Sequence, residues 1–244
     1  MASGMQVGGF GAVGGWRRGL ARWARLTNCS LRGVTVAALA ALALSLGTLH
    51  ADPAAAAGAP KRVLIVGDSL SAEYGLARGS GWVALLDARL QREKVPASVV
   101  NASIGGDTTA GGLTRLPVLL SSHHPDIVVL ELGGNDALRG LPLAQTQSNL
   151  TAMARAAKTA GARVLVIGMQ VPPNYGRQYG ADFSALFATV AKAEGAALVP
   201  FLLAGVADAP NADALFQPDR IHPKAEAHPR ILDNVWPVLR PMLK

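Results

Sequence analysis

Residues 63–76 read VLIVGDSLSAEYGL. Val63-Leu64-Ile65-Val66 is an apolar run without alternation, as in a strand covered on both faces, and such strands belong to parallel sheets flanked by helices. Gly67 then lets the chain turn sharply as it leaves the sheet. Ser69, just past that turn, stands at the carboxyl end of a strand, where open α/β sheets hold their ligands. Alone, a serine there reads equally well as a cap for the next helix. Its meaning depends on what the other strand ends supply.

Working outward, short apolar runs alternate with longer helical segments, the pattern of a parallel sheet between two helical layers. Strands are expected at 62–66, 97–101, 127–132, 163–167 and 197–199, and helices at 82–92, 113–120, 143–160, 183–194 and 231–239. Each unusual segment follows a strand: GDSL after the first, NASIGGDTTAGG after the second, LGGND after the third and MQVPPNYGRQYG after the fourth. All four loops therefore share one edge of the sheet.

Near the C-terminus stands PDRIHPKAEAH, residues 218–228. Asp219 and His222 are three apart, close enough in a turn for the carboxylate to accept from one imidazole nitrogen. The other nitrogen is then free to take a serine proton. Oxyanion donors have sources too: the backbone N–H of Gly106 in SIGGDTT, the carboxamide of Asn135 in GGND, and the N–H of Ser69. Gly106 and Asn135 also read as plain turn residues. Asp68 reads as an acceptor for loop amides, and His123, His124 and His228 as surface residues. SSHHPD has two adjacent histidines that point apart and no third ligand nearby, so no metal site is expected. IGGDTTAGG lacks the Gly-Lys-Ser/Thr ending of a phosphate loop.

GDSL, IGGD, GGND and DRIH resemble, in order, the four blocks of the SGNH or GDSL hydrolase family, and the likeness spans residues 61–237. The flanks NASIGGDTTAGGLTRLP, LELGGNDALRG, PPNYGRQYGADF and IHPKAEAHPRILDNVWPVL are similar to its bacterial acyl-CoA thioesterase I, lysophospholipase and arylesterase subgroup. The resemblance implies Ser69 as nucleophile, His222 as base, Asp219 as its partner, and Ser69, Gly106 and Asn135 as oxyanion hole. It implies a three-layer α/β/α sandwich on a five-stranded parallel sheet, flavodoxin-like, with no metal or organic cofactor. Gly105, just before Gly106, departs from the residue common in the family, as do Arg220 and Lys224 beside the histidine. The expected activity is hydrolysis of esters and thioesters through an acyl-enzyme. A carbohydrate acetylesterase is the alternative, and a binding module without activity a remote one. Leu70, Ile104, Leu138, Leu141, Pro173 and Tyr175 are candidates to contact the acyl chain, and each reads equally as core; the loop 137–142 is expected to move when an acyl chain binds.

The first fifty residues stand apart. Arg17, Arg18, Arg22, Arg25 and Arg32 precede the apolar run 34–46, and small residues follow, the order of a secretory signal. That run is shorter than the roughly 20 residues of a membrane span. Residues 1–51 are read as a signal peptide, 52–60 as a flexible tether and 61–244 as the hydrolase domain, with cleavage among Ala54 to Ala57 and an uncleaved anchor as rivals. A periplasmic or secreted protein is expected. The whole chain carries +7, with 23 Lys and Arg against 16 Asp and Glu. Five of the arginines and none of the acids lie before residue 52, leaving a net of +2, so nucleic acid is not implied. The single cysteine, Cys29, lies in the same leader, so the domain is expected to have no disulfide or thiol nucleophile. Partners are expected to be small acyl esters, thioesters or lysophospholipids, with no obligate protein partner and a monomeric state.

Overall fold

The computed structural model describes residues 59–244. The expected signal peptide, and the tether up to residue 58, lie outside the described residues. The elements run β1 (Lys61–Gly67), α1 (Trp82–Arg92), β2 (Ala97–Asn101), α2 (Thr109–His123), β3 (Ile127–Glu131), α3 (Gly134–Leu138), α4 (Leu143–Thr159), β4 (Arg163–Ile167), α5 (Arg177–Glu194), β5 (Ala197–Val199), α6 (Ala212–Leu215) and α7 (His228–Leu239).

The five strands form one parallel sheet in the order β2-β1-β3-β4-β5. The register sets Val63 against Val99 on one side and Ile127 on the other. The chain steps one way after β1 and the other way after β2, β3 and β4. Right-handed crossovers then send α1 to one face and α2, α4 and α5 to the opposite one. The packing agrees: α1 lies against α7, while α2 packs on α4 and α4 on α5. This is the three-layer sandwich expected.

Buried side chains recur every four residues on the inward faces, as helices laid on a sheet require. Trp82, Leu86 and Leu90 of α1 and Ile231, Val235 and Leu239 of α7 cover one face. Leu116, Leu150, Met153, Phe183 and Phe187 cover the other, the two phenylalanine rings meeting edge-on at 5.2 Å. Between them Val63 to Val66 and Ile127 to Leu130 are fully buried.

Some bounds differ from the sequence reading. Helix α2 begins at Thr109, four residues before the expected start, because Thr108 caps it by accepting from the Gly111 N–H at 3.3 Å. Gly112 is inside that helix for packing: a Cβ there would stand 2.3 Å from Leu132 Cδ1. Helix α5 begins at Arg177, its polar first turns being largely exposed. Helix α7 begins at His228, which is only 2% exposed, not the surface residue expected. Its Nδ1 accepts from the N–H of Trp82 at 2.9 Å, so α7 caps the first turn of α1 from across the layer. Burial holds the His228 pKa below its ordinary value, which suits a neutral ring acting as acceptor.

Candidate active site

The turn after β1 is built around Gly67. A Cβ there would fall 2.7 Å from Glu131 Oε2, 2.8 Å from Ser71 Oγ and 2.9 Å from Ser103 Oγ, so close approach, more than turning freedom, demands glycine. Asp68 follows, almost fully buried. Its Oδ1 accepts from the Leu70 N–H at 3.0 Å, which shapes the turn that presents Ser69.

The Asp219–His222 spacing closes a turn. Asp219 Oδ1 accepts from the N–H groups of Ile221 at 2.9 Å and His222 at 3.0 Å, with Arg220 in the left-handed region at φ 57°. Asp219 Oδ2 lies 2.7 Å from His222 Nδ1, and His222 Nε2 lies 2.8 Å from Ser69 Oγ. Partial burial pushes the Asp219 carboxyl upward, but donation from the His222 N–H, the His222 ring and the Ile221 N–H outweighs it and holds the pKa near about 2. An ionised Asp219 can only accept, so Nδ1 carries the imidazole proton and Nε2 is left to accept from the serine hydroxyl. The Gln217 N–H donates to the His222 carbonyl at 2.8 Å and fixes the loop from behind.

The two glycine loops join this centre. Asn135, in α3, donates from Nδ2 to Asp68 Oδ2 at 3.0 Å, placing its carboxamide beside the Ser69 turn. Asp136, next to it and buried, accepts from the Thr109 N–H at 2.9 Å and from the Thr109 hydroxyl, which pins α3 to the start of α2. Gly106 adopts φ 75°, and its carbonyl accepts from Arg139 Nη2 at 2.7 Å, so a residue from the loop after β3 straps the loop after β2. Arg115 secures the same loop, pairing with Asp107 at 2.8 Å and donating to the Ala102 carbonyl.

Behind the Ser69 turn lies a pair of buried carboxyls, Asp68 and Glu131. Glu131 is fully buried; its Oε2 accepts from the Ser71 hydroxyl at 2.7 Å and from the Asp68 N–H at 3.3 Å. Burial, followed by the nearby charge of Asp68, pushes the Glu131 pKa well above the ordinary range. Burial pushes Asp68 up to about 6, against the pull of the Leu70 N–H and of Asn135.

Of the acyl-contact candidates, Ile104 is beside the nucleophile turn, its N–H donating to the Gly67 carbonyl at 3.0 Å, and its side chain is exposed. Leu138 and Leu141 are exposed on the loop after β3, the strand next to β1. Leu70 is corrected: at 7% exposure it packs into the core. Pro173 and Tyr175 follow β4, two strands from β1, and the Tyr175 ring stacks on Tyr179 at 6.1 Å. Sequence reasoning passed over Tyr74, whose ring lies 4.3 Å from that of His222, and the exposed Ile221 that precedes His222 in the chain. The signal for Tyr74 was an aromatic five residues after the nucleophile in an otherwise small and polar run. Among the described residues no group of three or more His, Cys, Asp or Glu could hold a metal ion.

A serine, histidine and aspartate in hydrogen-bonded series on the carboxyl edge of a parallel sheet define the class of nucleophilic hydrolases. Residues 65–230 match the GDSL-like lipase/acylhydrolase family, and the chain belongs to that family. It is 53% identical over 185 residues to the esterase TesA of Pseudomonas aeruginosa, covering 76% of this chain and 90% of that protein. It is 42% identical over 187 residues to thioesterase 1/protease 1/lysophospholipase L1 of Escherichia coli strain K12, covering 77% of this chain and 87% of that protein. The crystal structure of the psychrotrophic esterase EstA from Pseudoalteromonas sp., inhibited by monoethylphosphonate, superposes with a TM-score of 0.71 at 37% identity, covering 75% of this chain and 98% of that one. The protein is thus a hydrolase of the serine esterase kind.

Proposed function

We propose that the protein hydrolyses carboxylic esters and thioesters by acyl transfer to Ser69. As Ser69 Oγ attacks the carbonyl carbon, its proton passes to His222 Nε2, and Asp219 stabilises the imidazolium that forms. The N–H groups of Ser69 and Gly106 and the carboxamide of Asn135 receive the developing oxyanion. Collapse breaks the bond to the leaving alcohol or thiol, which takes the proton from Nε2. Water repeats the sequence on the acyl-enzyme, with His222 again as base, releasing the acid and restoring Ser69. The observation that carries this reading is the unbroken series Asp219, His222, Ser69 at 2.7 and 2.8 Å.

Ile104, Leu138 and Leu141, exposed beside the oxyanion loops, favour an apolar acyl chain over a lone acetyl group. The basic and apolar leader favours export, with residues 1–51 as signal and 61–244 as the working domain. Acyl-CoA is cytosolic, so an exported enzyme is better matched to lysophospholipids and aryl or alkyl esters, working as a monomer.

The test is hydrolysis of p-nitrophenyl esters from acetate to palmitate by the mature chain and by Ser69→Ala. The expected result is activity that rises beyond acetate and falls by at least about 1000-fold in the variant. Equal activity in both proteins contradicts the mechanism, and activity confined to acetate contradicts the apolar acyl site.

A further inference from the structure

The apolar side chains left in solvent gather at one place. Six large hydrophobic residues are exposed among the described residues, and five of them, Tyr74, Ile104, Leu138, Leu141 and Ile221, lie on the loops of the edge that holds Ser69; the sixth, Val118, is on α2. The five fall into two groups. Ile104, Leu138 and Leu141 belong to the loops that carry Gly106 and Asn135, whereas Tyr74 and Ile221 flank the base.

The chemistry gives those groups different partners. In acyl transfer the carbonyl oxygen turns toward the oxyanion donors, and the departing oxygen or sulfur must come within hydrogen-bond reach of His222 Nε2 to receive its proton. An exposed side chain packed on the imidazole is therefore placed to meet the leaving group. Tyr74 is built into that position from two sides. Its N–H donates to the Ser69 carbonyl at 3.3 Å, and its own carbonyl accepts at 2.9 Å from Gln217 Nε2, the residue whose backbone N–H holds His222. The neighbouring Gly75, at φ 70°, admits no side chain, since a Cβ would fall 2.2 Å from Gln217 Oε1. The ring lies 4.3 Å from the imidazole at a 34° tilt, and its Cδ2 is 3.9 Å from where a Cβ on Gly105 would stand. It therefore reaches from the base toward the glycine loop, and Tyr74 keeps 54% of its surface exposed.

We propose that Tyr74, together with the exposed Ile221 that precedes His222 in the chain, is the specificity-determining wall for the leaving group, receiving a flat aromatic or apolar alcohol or thiol. The enzyme then selects esters by the group that departs as well as by the acid. This rests on the Ser69 acyl-transfer reading, since only that reading places the leaving group at His222.

The test compares benzyl butyrate with ethyl butyrate, which share the acid and release alcohols of similar acidity, so differences in intrinsic reactivity largely cancel. Wild type is expected to prefer the benzyl ester. The benzyl-to-ethyl ratio of kcat/KM is expected to fall about 10-fold in Tyr74→Ala, the scale of a lost aromatic contact, and to return in Tyr74→Phe. Ile221→Ser, at an exposed position, lowers the same ratio by a smaller factor, about 2-fold. Equal loss on both esters in Tyr74→Ala overturns the proposal, because the ring then serves only the imidazole; an unchanged ratio in both variants overturns it as well. Activity that survives Ser69→Ala on these esters instead overturns the acyl-transfer reading itself.

Discussion

Asp219 and Asp68 both lie close to the nucleophile, one beyond the histidine and one beside the serine, and the protein treats the same side chain in opposite ways. Asp219 is partly open to solvent and receives three N–H donors, from Ile221, His222 and the imidazole. Its pKa is held near about 2 although burial works against that. Asp68 is sealed in, receives two donors, from Leu70 and Asn135, and has Glu131 as neighbour; burial pushes it up to about 6. Donor count and access to water, more than residue type, set each pKa. The acid with the lowered pKa is the one in series with the base, where a negative charge held over a wide pH range stabilises the imidazolium. The buried pair holds architecture: Asp68 ties the serine turn to Asn135, and Glu131 joins the Asp68 N–H to the Ser71 hydroxyl.

This contrast can be broken. Asp219→Ala removes the acceptor that selects the imidazole tautomer and is expected to lower kcat by about 1000-fold or more with little change in KM. Steady-state kinetics on a p-nitrophenyl ester checks it, and a loss under about 10-fold would mean that other groups orient His222.

The buried pair gives a sharper test through stability. The Glu131 pKa is raised above its unfolded value, so between that value, near 4.5, and the higher folded value the native state holds more protons than the unfolded chain. The contribution of Glu131 to stability is therefore lost as pH rises through that window. Glu131→Gln mimics the protonated acid and is expected to gain on wild type as pH rises above about 4.5, by denaturant unfolding at a series of pH values. A constant difference between the two proteins would mean that folding leaves the Glu131 pKa unchanged.

His228 gives the smallest effect and the opposite slope. Its pKa is lowered by burial, so below the ordinary value of 6.5 the unfolded chain binds more protons and stability falls with acidification. His228→Ala is expected to cost about 1 kcal/mol for the lost cap on α1, plus whatever its packing contributes, and to flatten that acid slope. Unfolding curves on either side of pH 6.5 decide between this and a surface histidine, whose removal would change neither.

The sheet was legible because β1, β3 and β4 each carry four consecutive apolar residues. Ser69, Gly106 and Asn135 were legible as residue types in loops after strands, and Asp219 and His222 by their spacing of three near the C-terminus; the structure joins Ser69, Asp219 and His222 directly and ties Asn135 to Asp68. What stayed hidden depends on contacts between distant segments. Glu131 reads as one charge inside an apolar strand, and only the meeting of β1 with β3 brings Gly67, Asp68 and Ser71 against it. His228 looked external because nothing in its local sequence shows that α1 lacks a side-chain cap of its own. Leu70 reads equally as an acyl contact or as core, and the structure decides for core because the Asp68 turn directs it inward. Tyr74 was passed over because its role depends on Gln217 and His222, far along the chain.

Acyl transfer as proposed requires that Ser69 carry the acyl group. Mass spectrometry of the intact chain, then of its peptides, after a fluorophosphonate ester tests it directly. The account predicts one adduct per chain, on the peptide that holds Ser69, and none in Ser69→Ala. An adduct on another residue, or equal labelling of the variant, would contradict it.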